Sequence, residues 1–112
     1  MSRFAARLSA RTTPRRDRRA PYRFTTTGRL RLPAGVTAAQ ACRGTVTVQI
    51  KAGRKTVSSR RVKLRPDCTY RSRVTFRNPQ RLRPRTLQRL VRFGGNSVVN
   101  ATRATRQTLR VR

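Results

Sequence analysis

Two cysteines, Cys42 and Cys68, and a regular alternation of arginine with apolar residues are the features of this chain that could do chemistry. Neither cysteine belongs to a CxxC pair and the sequence has no histidine, so a zinc site is not expected. A catalytic thiol would want a histidine partner and finds none. Two buried thiols or one disulfide remain. Each cysteine precedes an expected strand, and a complete hairpin separates them, which could bring the two strand starts together. A bridge there would stabilise by roughly 3–4 kcal/mol in the chain-entropy model. We therefore expect a Cys42–Cys68 disulfide and an oxidising, extracytoplasmic compartment.

General acid–base chemistry has little to work with. The only carboxylates are Asp17 and Asp67, one near the N-terminus and one in an expected turn, and there is no glutamate. No carboxylate pair or oxygen cage for a hard metal can be assembled from them. Gly94-Gly95 sits where a hairpin turn is expected, not in a phosphate loop before a helix. The expectation is a non-enzymatic protein with no cofactor and no small-molecule substrate.

Charge is the outlying property. Thirty basic residues, all but Lys51, Lys55 and Lys63 being arginine, face two acids, for a formal charge of +28 over 112 residues. Codon bias could favour arginine over lysine, but it does not account for the missing acids. Such a balance points to polyanions: nucleic-acid backbone, acidic envelope polymers or an anionic membrane surface. The longest apolar runs, such as Phe4-Ala5-Ala6, have three residues, which excludes a transmembrane helix.

The elements that would carry these residues read as strands. Tyr22, Phe24, Leu30 and Leu32 share one parity and Arg23, Arg29 and Arg31 the other, with Gly28 predicting a bulge or kink. Val46, Val48 and Ile50 alternate with Thr45, Thr47 and Gln49. Ala52-Gly53 then signals a hairpin. On the return strand Val57, Val62 and Leu64 slip in phase, predicting a bulge near Ser58-Ser59. Pro66-Asp67 makes a turn. Tyr70, Val74 and Phe76 alternate with Arg71, Arg73 and Arg77, and a basic loop carries Arg81, Arg83 and Arg85. Leu87 to Phe93 reads as a strand closed by Gly94-Gly95-Asn96. The last strand holds Leu109 and Val111, flanked by Arg110 and Arg112. Six or seven short strands at roughly ten-residue spacing make an all-β sandwich of residues 22–112.

Residues 1–21 read as a disordered, arginine-rich arm ended as a helix by Pro14. The arm lacks the apolar core of a secretory signal and could dock on an anionic membrane. Within the sandwich, the outward arginines Arg23, Arg29, Arg31, Arg71, Arg73, Arg77, Arg110 and Arg112, with the loop residues Arg81, Arg83 and Arg85, form the candidate polyanion-binding set. Arginine on a solvent face also blocks edge-to-edge pairing of strands, so each position could serve either role. Tyr22, Phe24, Tyr70, Phe76 and Phe93 all read as core, leaving no aromatic platform for base stacking.

The stretch Leu90-Val91-Arg92-Phe93-Gly94-Gly95-Asn96-Ser97-Val98-Val99, continuing from Thr105 to Val111, resembles the ending of bacterial Ig-like repeat domains. Gly44-Thr45-Val46-Thr47-Val48, the Ala52-Gly53 hairpin and Thr56-Val57 are similar to the middle of such repeats. Cys42 with Cys68-Thr69-Tyr70 resembles a Cys-stapled variant in secreted actinobacterial proteins. The resemblance implies an Ig-like sandwich acting as a spacer or adhesive module at the cell surface. This chain departs from it by being a lone, far more basic unit. Two functions are thus expected: an extracytoplasmic Ig-like structural or adhesive module with general polyanion affinity, or an intracellular, sequence-nonspecific nucleic-acid-binding protein.

Overall fold

Period-two alternation turns each strand into one apolar and one basic face, and two sheets close over the apolar faces. The computed structural model describes residues 3–14, 16, 17, 21–77 and 86–111. Its elements are β1 (Arg7–Leu8), β2 (Arg11–Thr13), β3 (Arg16–Asp17), β4 (Tyr22–Arg31), α1 (Ala38–Ala41), β5 (Thr45–Ala52), β6 (Lys55–Lys63), β7 (Thr69–Phe76), β8 (Thr86–Phe93), β9 (Thr102–Arg103) and β10 (Gln107–Val111). In the first sheet β4 is central, with β1 and β2 along one edge and β7 along the other. The second sheet runs β3-β10-β8-β5-β6, with β9 also beside β8. Among the described residues only β3 on β10 is a parallel strand pair. The architecture is an all-β sandwich of two sheets, compatible with the expected Ig-like one.

The N-terminal segment corrects the expectation of a disordered arm. β1 and β2 pair with β4 in one continuous register, Arg7 opposite Arg31 through Thr13 opposite Thr25. The chain then crosses to the second sheet, where β3 lies along β10. Phe4 bridges Val99. Leu8 and Thr12 are buried, so this segment contributes to the interior. A two-residue apolar period is easy to miss when one inward position is a threonine.

Gly28 does not bulge β4: its register with β7 is unbroken, and Gly28 faces Tyr70. The glycine leaves room for the Tyr70 ring to cross the strand and donate its hydroxyl to the Ser9 carbonyl at 2.6 Å. A Cβ at Gly28 would collide with both groups. Burial pushes the Tyr70 phenol up to about 12, with the nearby Arg89 pulling the other way.

The hairpin between β5 and β6 closes through Gly53-Arg54, with Gly53 at φ 63°, the glycine-first arrangement of a two-residue turn. The expected bulge lies one residue earlier than the phase slip suggested. Ile50 faces Ser58 and Lys51 faces Thr56, leaving Val57 unopposed. Gly94-Gly95-Asn96 opens a longer excursion than a tight hairpin. There Asn96 accepts from the Val98 and Val99 amides and donates to the Ala41 and Arg43 carbonyls, all at 2.8 Å.

That clamp adjoins the disulfide. Cys42 ends α1, whose Thr37 and Gln40 form a capping box, the T-x-x-Q signature of a helix start. Cys68 sits at φ 65° in the turn before β7, where its amide donates to the Arg65 carbonyl at 2.8 Å. Asp67 accepts from the Thr69 amide and hydroxyl at 3.1 and 2.6 Å, which holds its carboxyl below the usual range. The two cysteines form a disulfide with Cα atoms 4.8 Å apart. It ties the entrance of β5 in one sheet to the entrance of β7 in the other.

The core has two clusters. One packs Leu30, Val46, Tyr70, Val91, Phe93 and the disulfide; the other packs Tyr22, Phe24, Ile50, Leu87 and Leu109. Phe76 is half-buried against the second cluster, edge-on to Phe24 at 6.3 Å. The double substitution Cys42→Ser/Cys68→Ser should lower stability by roughly 3–4 kcal/mol. Urea denaturation checks this, and a stability unchanged by the substitution or by reduction would contradict it.

Candidate polyanion interface

The outer face of the first sheet gathers arginine from three directions. Arg23, Arg29 and Arg31 on β4, Arg71 and Arg73 on β7 and Arg77 just beyond β7 are all exposed. Arg7 and Arg11 join them from β1 and β2, opposite Arg31 and Thr27. Between β4 and β7 the register sets each arginine against a threonine: Arg23 faces Thr75, Arg73 faces Thr25, Arg71 faces Thr27 and Arg29 faces Thr69. Like charges directly opposite each other destabilise a sheet, so this checkerboard lowers the repulsion between β4 and β7, while Arg7 against Arg31 at the other edge is a like-charge pair. Threonine adds a β-branched residue suited to the pleat and a hydroxyl that donates or accepts.

A cavity of about 550 Å³ opens beside the Arg29–Thr69 end of the β4–β7 pairing, lined by Arg11, Arg29, Arg65, Arg71 and the Thr27 and Thr69 hydroxyl residues. Gly28 itself points inward, at Tyr70 and the Ser9 carbonyl, so this four-arginine hollow is shaped by its outward neighbours. Guanidinium groups bind phosphate or carboxylate through paired N–H donors.

The remaining expected residues fall elsewhere. Arg110 is exposed on β10, opposite Thr86 on the second sheet, and so does not share this face. Arg81, Arg83, Arg85 and Arg112 lie outside the described residues. Arg7 and Arg11 were legible only as flexible charge, because the strand that carries them was not. Arg65 follows the phase slip of β6, and nothing in its surroundings marked it.

A further arginine lies inside. Arg89 occupies an inward position of β8 between Leu87 and Val91 and is 1% exposed. Its Nη2 donates to the Thr105 carbonyl at 3.1 Å and to Gln107 Oε1 at 3.3 Å. Gln107 in turn pairs with both backbone groups of Thr12, accepting from its amide at 3.0 Å and donating to its carbonyl at 2.9 Å. Thr12 and Thr26 hydroxyls share a hydrogen bond at 2.7 Å. This network closes the sandwich between β2 and β10 and holds the chain break between β9 and β10. Among the described residues Arg89 Nε and Nη1 have no hydrogen-bond partner, and burial lowers the affinity of this guanidinium for its proton.

No protein-family model matches the sequence, and no curated protein matches it at a significant level. The fold is similar to part of a Paenibacillus sp. cycloisomaltooligosaccharide glucanotransferase whose crystal structure holds cycloisomaltoheptaose. The match has a TM-score of 0.48 and 18% identity over 90% of this chain, and the chain spans 14% of that enzyme.

Arg89→Met keeps the volume while removing a buried charge and two unpartnered donors. Thr105 is exposed, so its carbonyl can turn to solvent. The substitution should raise stability by about 1–3 kcal/mol. A lower denaturation midpoint would show that the two hydrogen bonds outweigh the desolvation of the guanidinium.

Proposed function

We propose that this chain is a non-enzymatic, extracytoplasmic Ig-like module that adheres to acidic polymers through the outer face of its first sheet. The observation that carries the reading is the arginine–threonine checkerboard beside the four-arginine hollow. Arginine meets arginine at Arg7–Arg31, Arg16–Arg110 and Arg92–Arg103, whereas the four arginines paired between β4 and β7 all meet threonine. Here β4 and β7 present a repeated array with the hollow at its Arg29–Thr69 end.

The array suits a linear polyanion better than a small ligand. Along a strand, outward residues recur about every 6.8 Å, and strands lie about 4.8 Å apart, so several guanidinium groups meet successive charges of an extended polymer. Binding of this kind takes its free energy from counterion release and ignores sequence. Tyr22, Phe24, Tyr70 and Phe93 face inward and Phe76 is half-buried, so base stacking from these rings contributes little; Phe4 is the exposed ring among the described residues. The Cys42–Cys68 bridge favours an oxidising compartment, and this separates the reading from an intracellular nucleic-acid binder. Acidic polymers of the cell envelope are the partners that such a location supplies.

A titration against single-stranded oligothymidylate, used as a probe of backbone charge, tests the face. Affinity should fall steeply with salt, and Arg29→Gln/Arg71→Gln should make the log–log slope shallower by about 1–2. A salt-independent affinity, or an unchanged slope in the variant, would rule the face out.

A further inference from the structure

The second sheet carries a separate basic cleft on its outer face, turned away from the checkerboard. Its volume is about 750 Å³, and Arg61, Arg92, Arg103 and Arg106 line it with Thr47 and Gln49. The register explains how they meet. Arg92 on β8 faces Arg103 on β9 directly, and Thr47 on β5 stands between Arg92 and Arg61 on β6. One cross-strand row therefore reads Arg103, Arg92, Thr47, Arg61. Arg106 follows the break after β9, whose Thr105 carbonyl is held from inside by Arg89 at 3.1 Å.

Like the Arg7–Arg31 pair at the edge of the first sheet, this arrangement departs from the arginine–threonine alternation of β4 and β7. Arg92 against Arg103 is a like-charge pair, which costs a sheet stability. None of the residues lining the cleft is acidic. An anion with several oxygens would relieve the repulsion and satisfy both guanidinium groups together.

We propose that the cleft is a second polyanion seat, and that one domain bridges two linear phosphate-bearing polymers, one on each sheet. The bridging rests on the function proposed above for the first sheet; the cleft itself stands on its own residues. Packed sheets lie about 10 Å apart, and outward side chains add length on both sides. The two seats are thus farther apart than the Debye length of about 8 Å at physiological ionic strength. Occupying one face leaves the other unneutralised, and the sites act independently. A basic domain with two opposed seats is a cross-linker.

The experiment uses the full chain with a short oligothymidylate for stoichiometry and a long polyphosphate for bridging. Calorimetry should give two oligomers per wild-type domain, and one for either Arg92→Gln/Arg103→Gln or Arg29→Gln/Arg71→Gln. Light scattering with polyphosphate should peak at an intermediate ratio and drop at least about tenfold in both variants. All four positions are exposed, and circular dichroism confirms that the variants fold. One oligomer per wild-type domain, lost only in the Arg29/Arg71 variant, overturns the bridge and leaves the first face standing. One oligomer lost only in the Arg92/Arg103 variant overturns the bridge and the first face together. Scattering that persists in both variants overturns the bridge as well.

Discussion

Repulsion among like charges is the constraint on which the rest of this structure depends. A chain with thirty basic and two acidic residues must fold without using ion pairs as its main currency. Two unit charges about 7 Å apart in water repel by roughly 0.6 kcal/mol, less with salt. Each contact is tolerable, but the sum over a whole surface competes with a net stability of about 5–15 kcal/mol. In the first sheet the main answer is register, although Arg7–Arg31, Arg16–Arg110 and Arg92–Arg103 remain like-charge pairs. Strands β4 and β7 interleave arginine with threonine, while the edge strand β6 spends Lys55, Arg60, Arg61 and Lys63 where charge prevents pairing with another sheet.

The interior bears the corresponding load. The disulfide joins the two sheets at one end, beside the Asn96 clamp. In the middle, Arg89, Gln107 and Thr12 replace apolar packing with a hydrogen-bonded tie between β8, β10 and β2. Such a tie is weaker than hydrophobic packing, and its guanidinium is incompletely satisfied. What it does is fix the break between β9 and β10, which sets Arg103 and Arg106 at the rim of the cleft. Stability is given up inside, and a shaped charged surface is obtained outside.

The sandwich and the bridge were legible in the sequence because both rest on local signals. Alternation in Tyr22–Leu32, Thr45–Ile50 and Tyr70–Phe76 reports strands directly, and Cys42 and Cys68 each precede one. The N-terminal strands were not legible: Leu8 and Thr12 are inward positions four apart, a spacing that fits a helix as well as a strand. Arg89 was hidden for a related reason. Its parity with Leu87 and Val91 marks it as inward, but an arginine at such a position reads as a phase error. The cleft was invisible because Arg61 follows a bulge and Arg103 lies on a strand of two residues, too short to show any period. The reason for Gly28 needs the fold, since only the approach of Tyr70 and the Ser9 carbonyl shows why the glycine is there.

Composition and architecture make different demands on a polyanion. The unfolded chain carries the same +28 as the folded one, so a ligand that responds to composition binds both states. A ligand that responds to the arranged face stabilises only the folded state, by an amount set by its concentration over its dissociation constant. Thermal unfolding of the disulfide-bonded chain with and without polyphosphate, at matched ionic strength, separates the two most directly. Binding to the arranged face should make the melting temperature rise with polyphosphate concentration. A melting temperature that stays constant or falls would contradict it.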